Sequence, residues 1–196
     1  SNNATGDTMS AIAIGLGAQA FNSTSGGVTA GVAIGQGAIA KSTSGAGSSP
    51  VAIGASSDAS GAGSQVAIGD QAQATGTDAI AIGGQAFAMG SRATGDQSTA
   101  IGQAAQASGQ GAIAFGSKAT ATGESSIAIG INSTVSGKRS GALGDPNTVS
   151  GSGSYAIGND NTIAQDNSFV LGNNVATTQA NSVVLGNLST DRAATA

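Results

Sequence analysis

A glycine closes a short apolar phrase at Gly15, Gly35, Gly54, Gly69, Gly83, Gly102, Gly116, Gly130, Gly144, Gly158, Gly172 and Gly186. The steps between these markers are 20, 19, 15, 14, 19 and then 14 throughout. A period of 14 with small additions is too regular for a linker and too short for helix-pair repeats, which need about 33 residues or more. Each period reads as two short strands. The first ends at the marker, as in Val66-Ala67-Ile68-Gly69; the second follows two or three residues later, as in Ala72-Gln73-Ala74. In the second strand, the positions three and five after the marker carry Ala18/Ala20, Ala86/Ala88, Ala119/Ala121, Asn147/Val149 and Asn161/Ile163. This alternation predicts an inward face, with Gln19, Gln73, Phe87, Thr120 and Thr134 between them facing out.

Glycines recur seven residues after the marker, at Gly61, Gly76, Gly90, Gly109, Gly123, Gly137 and Gly151. Glycine at both corners is expected to supply the positive φ of a sharp turn. Two strands and two corners in 14 residues define one coil. The fold class is therefore all-β: a single-layer-wound parallel β-roll, or β-solenoid, of about twelve 14-residue coils, each rising about 4.8 Å, for a rod of about 58 Å. The return strand replaces the helical crossover that parallel strands otherwise require. The longer periods predict protruding loops over residues 21 to 31, 41 to 50 and 91 to 98.

Composition agrees with a thin fold. The chain has 196 residues with 33 Gly, two Pro, four Phe, one Tyr and no Trp, so few large side chains exist to fill a round core. Apolar residues make up 39% and charged residues 8%, which argues against a charged disordered polymer. The net charge of −4 includes no basic run able to neutralise several phosphates, so nucleic acid is not an expected partner. Without Cys or His, Cys-His and Ser-His-Asp nucleophiles and the usual zinc sites are excluded. Asp160 and Asp166 are the closest acidic pair in the C-terminal half but lack any companion acid-base set. Pairs such as Gly61-Ala62-Gly63 open no helix and read as corners rather than phosphate cradles. No calcium-binding Gly-Gly-x-Gly-x-Asp repeat occurs. Accordingly no enzymatic activity, cofactor or metal is expected. No segment reads as a signal peptide or a membrane-spanning helix, so the chain is expected to be a mature fragment whose targeting and anchoring segments lie outside it.

The first strand is apolar on both faces. One face carries Ala67, Ala81, Ala100, Ala114, Ala128 and Ala142; the other carries Ile68, Ile82, Ile101, Phe115, Ile129 and Leu143. A roll covers only one of them. The other would be an apolar stripe far larger than a soluble monomer tolerates, so a second and third copy of the chain are expected to cover it through closed symmetry. These residues are the candidates for trimer interface and core. The sequence leaves open which face does which; Ile inside is the better-filled choice, because Ala against Ala would leave a sheet separation of roughly 10 Å empty.

"NSFVLGNN" (Asn167 to Asn174), "NSVVLGNL" (Asn181 to Leu188) and the "VAIG" copies at Val32, Val51 and Val66 resemble the Asn-Ser-Val-Ala-Ile-Gly repeat of trimeric autotransporter adhesins with a YadA-like head. The resemblance covers residues 11 to 188, with head repeats assigned to 1–188. The tail "STDRAATA", residues 189–196, resembles the start of the connection to a neck and stalk. It implies a left-handed parallel β-roll and a homotrimer on a coiled-coil stalk beyond a bacterial outer membrane, exported by type V secretion and contributing to virulence. The implied function is a non-enzymatic adhesin head that binds host extracellular matrix or cell-surface proteins and glycans. A spacer holding a more distal binding domain is the alternative, and an ice-binding solenoid, suggested by the Thr120, Thr134, Thr148 and Thr162 ladder, is a weaker one. Full Asn-Ser pairs occur only in the last two coils, so corner ladder bonds are expected to thin towards the N-terminus. Inward Asn147 and Asn161 are expected to stack their amides. Lys41, Phe87, Arg92, Lys138 and Arg139 are the candidate ligand contacts.

Overall fold

The computed structural model describes residues 11–22, 30–44, 47–84 and 89–191. Among them there are two sheets and every pairing is parallel. Twelve first strands, from Ile12–Ile14 to Val183–Leu185, stack in sequence order into sheet one. Eleven second strands, from Gln19–Asn22 to Ala176–Thr177, stack likewise into sheet two. Equivalent residues of successive coils face each other, as in Ala114↔Ala128 and Thr120↔Thr134. The chain is the expected parallel roll.

The structure reverses the preferred assignment of the first strand. Ala67, Ala81, Ala100, Ala114 and Ala128 are wholly buried and Ala142 nearly so. Ile68, Ile82, Ile101 and Ile129 are only half-buried on the outer face, and Phe115 is 51% exposed. The reason lies in the corners. Only Gly116, Ser117 and Lys118 connect Phe115 to the buried Ala119, too short a link to hold the sheets at a separation suited to branched side chains. Ala against Ala fills the narrow interior. The roll accommodates more volume towards the C-terminus, where Val135, Val149 and Ile163 take the inward places of the second strand and are fully buried.

The corners also differ from expectation. Marker glycines other than Gly172 do have positive φ, such as +131° at Gly116, and a Cβ there would meet the Gly130 carbonyl oxygen at 2.5 Å. The second-corner glycines Gly76, Gly109, Gly123, Gly137 and Gly151 do not have positive φ. They are required by proximity: a Cβ on Gly123 would collide with the carbonyl of Gly137 in the next coil. The left-handed conformation falls two residues later on ordinary residues, Ser125 (53°) and Arg139 (52°) among them, as it does at Lys118 (58°) on the first corner.

The third expected loop is misplaced in the sequence reading. The second-strand slot expected for Ala86, Phe87 and Ala88 is occupied by Arg92–Ala93, paired with Gln73–Ala74 and Gln106–Ala107. Residues 85–88 lie outside the described residues. The second corner is at Gly95, stacked between Gly76 and Gly109, rather than at Gly90. The five added residues therefore precede Ser91, whose amide donates to the Gly83 carbonyl (3.0 Å), and residues 91 to 98 belong to the regular coil. The loops expected over 21 to 31 and 41 to 50 are also narrower, since the strands Gln19–Asn22 and Ile39–Ser42 extend into them.

Polar ladders seal the corners. Asn161 Nδ2 donates to Asn147 Oδ1 (3.0 Å) and to the Gly172 carbonyl (2.7 Å), while Asn147 Nδ2 donates to the Gly158 carbonyl (2.6 Å). The expected amide stack is present. On the opposite corner the Ser140 hydroxyl donates to the Gly151 carbonyl (2.7 Å) and accepts from the Ser154 amide (3.1 Å), and Ser154 repeats the pattern one coil on. Every buried donor so paired avoids the cost of an orphaned polar group.

Aspartates extend these ladders. Asp96 accepts from the Thr77 amide (2.9 Å), and this bond, with one from the Thr77 hydroxyl, holds its carboxyl below the usual aspartate range. Asp191 closes the last described corner, accepting from the amides of Thr178 (2.8 Å) and Gln179 (2.6 Å) and from the Thr178 hydroxyl (2.9 Å). Burial pushes its pKa upward, but the Gln179 and Thr178 hydrogen bonds outweigh burial and leave it lowered. A carboxylate with a depressed folded-state pKa stabilises above its unfolded value, and that contribution is lost as the pH falls through the folded one. Amide protection at Thr178 and Gln179 is therefore expected to be constant above about pH 5 and to fall below about pH 4, with no such acid dependence in Asp191→Asn. Hydrogen exchange at the two amides measures this.

Candidate functional site

Sheet one places two columns of side chains outside. One runs through Ile113, Ile127, Gly141, Tyr155, Phe169 and Val183; the other runs through Phe115, Ile129, Leu143, Ile157, Leu171 and Leu185. Their neighbours above and below cover the edges of each side chain, but the outer surfaces stay open: Leu143 is 49% exposed, Tyr155 42% and Leu185 64%. Only Thr99 and Gly141 interrupt the large apolar residues of this face. A face of this kind, continuous over twelve strands, departs from the scattered apolar exposure normal for a surface. At Gly141 it is notched. Tyr155 lies over the missing side chain, and Ile127, Ile129, Leu143 and Ile157 complete an apolar groove.

Sheet two is polar outside. Gln73, Gln106, Thr120, Thr134, Thr148 and Thr162 face out between inward Ala, Val, Asn and Ile. The hydroxyl ladder is broader than the single column read from sequence, because Thr94, Ser108, Thr122, Ser136 and Ser150 form a second exposed column beside it. Their amides remain in the ladder, as with Thr122 donating to the Val135 carbonyl (2.9 Å).

The ligand-contact candidates do not converge. Lys41 lies on sheet two with its ammonium 5.6 Å from the Phe21 ring centroid, a cation-π geometry. Arg92 is on the same sheet, with two strands between it and Lys41. Lys138 pairs with Glu124 (3.3 Å), both well exposed, and Arg139 sits beside it in the left-handed corner position. Such a surface pair contributes little. Phe87 lies outside the described residues. Asp160 and Asp166 occupy opposite corners of one coil: Asp160 follows Gly158 with φ 57°, while Asp166 accepts from the Ser152 amide (2.7 Å). Among the described residues, no three acidic side chains gather as a metal site would need.

The arrangement is that of a repetitive parallel β-roll with one apolar and one polar flank. Residues 66–86, 93–119 and 121–145 match the YadA head domain repeat, in two copies. The break between the first two matched segments falls at the insertion before Arg92. Within residues 66–145 the roll is thus similar to YadA head domain repeats, whose family is one of adhesins. No curated protein sequence matches the chain significantly.

Proposed function

We propose that three copies of this chain assemble through the outer face of sheet one, and that the trimer is the head of a bacterial surface adhesin. It binds host extracellular matrix or cell-surface macromolecules through sheet two and the inserted segments. The observation that carries the reading is the apolar face, continuous from Ile12 to Leu185. Leaving it in water is unfavourable at about 25 cal/mol per Å² of apolar surface, and a second and third copy offer the same surface in return. Repeated coils and three polar flanks then supply avidity without any strong single site. In this reading residues 1–188 form the head and residues 189–196 begin the connection to a neck and stalk anchored elsewhere.

The test is mass measurement in solution followed by binding to immobilised collagen, fibronectin, heparin and host cells. A trimer that binds one of these supports the reading, and a folded monomer or a trimer without affinity for any of them overturns it. If cell attachment by the full-length protein survives exchange of this head for an unrelated rod of equal length, the head is a spacer. Thermal hysteresis in the same preparation would instead assign the hydroxyl columns of sheet two to ice.

A further inference from the structure

We propose that Arg92, Gln71 and Gln73, with Met89 and Gly90 against them, form on the outer flank of sheet two a binding site for the carboxylate of an acidic sugar. The additions after the strands Gln19–Asn22 and Ile39–Ser42 enter at the second corner. The addition before Arg92 enters between Gly83 and Ser91, at the first corner, so its returning end, Met89 and Gly90, stands against the outward residues of the second strand. Gly90 has no room for a side chain, because a Cβ would strike the backbone of Gln71 and Ala72. The result is a pocket of about 160 Å³ lined by Gln71, Gln73, Met89, Gly90 and Arg92.

The lining is chemically specific. Arg92 is the cation of the outward strand column among the described residues, with Gln73 and Gln106 as its register neighbours. Its Nε is shielded from solvent yet has no hydrogen-bond partner, and Nη1 meets only the Met89 sulfur, at 4.0 Å. A shielded guanidinium donor without an acceptor is unfavourable, and a carboxylate is the acceptor whose geometry matches the fork. The carboxamides of Gln71 and Gln73 can donate to and accept from hydroxyl groups, and Met89 offers an apolar wall to a sugar ring. The volume is below the roughly 300 Å³ of a drug-sized site and suits the carboxylate and one edge of a sugar ring, the rest of the unit lying over the sheet. An extended peptide is disfavoured, since both strands flanking Arg92–Ala93 are already paired and no sheet edge is free there to take another strand. This site rests on the adhesin reading for its setting and gives that reading a glycan class.

Saturation-transfer NMR on the full chain with 3′-sialyllactose, lactose and a glutamate-bearing peptide tests it. The expected result is signal on the sialyl unit, none with lactose or the peptide, and affinity about tenfold lower or worse in Arg92→Gln and Gln73→Glu. Arg92→Lys, which keeps the charge and loses the fork, is expected to fall between. Both tested positions face outward, and unchanged melting confirms that the variants fold. Equal binding by Arg92→Gln, binding of lactose, or binding of the peptide alone overturns the inference. So does absence of sialyllactose binding by a folded chain; if that chain still binds matrix or cells, the adhesin reading stands without this site.

Discussion

Phe115→Asp together with Ile129→Asp is expected to convert the proposed trimer into folded monomers, whereas Ala114→Asp is expected to prevent folding. The two outward residues are neighbours in register, 51% exposed and half-buried in the single chain, so their replacement leaves the coil's interior untouched. In the assembly the carboxylates would face apolar surface from other copies without a partner, and closed symmetry repeats the penalty at every interface. Ala114 immediately precedes Phe115 in sequence but is wholly buried inside the roll, against alanines of the coils on either side. A carboxylate there adds volume and an unpaired charge to an interior with no polar partner, a combination that costs more than about 4 kcal/mol. Light scattering with circular dichroism separates the outcomes. A folded monomer from Ala114→Asp, with an intact oligomer from the outer pair, would exchange the two faces.

The contrast shows what the sequence carries. The 14-residue period and the inward alternation of the second strand are legible, because Ala119/Ala121 or Asn147/Val149 repeat in register and their intervening neighbours are polar. The first strand gives no such contrast. With Ala114 on one face and Ile113 and Phe115 on the other, both faces are apolar, and only corner length decides which volume fits inside. That length is readable after the fact in Gly116-Ser117-Lys118, since three residues allow only a narrow return.

The insertion is instructive for another reason. Ala86-Phe87-Ala88-Met89-Gly90 imitates Ala72-Gln73-Ala74-Thr75-Gly76 in its alternation and its closing glycine, so pattern alone puts a strand there. The better signal is Ala93-Thr94-Gly95, which repeats Ala74-Thr75-Gly76 and Ala121-Thr122-Gly123 residue for residue. Placing Gly95 at the corner moves Arg92 out of a loop and onto the sheet, where it lines a pocket. The corner aspartates carry no sequence signal of their own, since Asp96 and Asp191 are scattered like solvating charges along the chain and cap amides of the preceding coil only through the fold.

Gly116→Ala and Gly123→Ala are both expected to lower stability severely, for different reasons, while Lys118→Gly and Ser125→Gly are expected to change it little. At Gly116 the added methyl meets two obstacles: a φ of +131°, which side chains rarely adopt, and the Gly130 carbonyl oxygen at 2.5 Å. At Gly123 the backbone is ordinary and only the collision with the Gly137 carbonyl opposes the methyl. In both cases the obstacle is backbone held in the ladder, which cannot turn aside as a side chain would. A cost of about 3 kcal/mol or more follows for Gly116→Ala, and about 1–3 kcal/mol for Gly123→Ala. Lys118 and Ser125 already hold left-handed angles of 58° and 53°, which glycine adopts more readily, so relief of strain and loss of unfolded-state stiffness nearly cancel. Because each coil contacts only its neighbours, a break at coil seven also divides the array into two shorter stacks. Thermal melting is therefore expected to become broader as well as lower in Gly116→Ala. Equal melting of Gly116→Ala and Ser125→Gly would mean that the marker glycine is not held by its neighbouring coil.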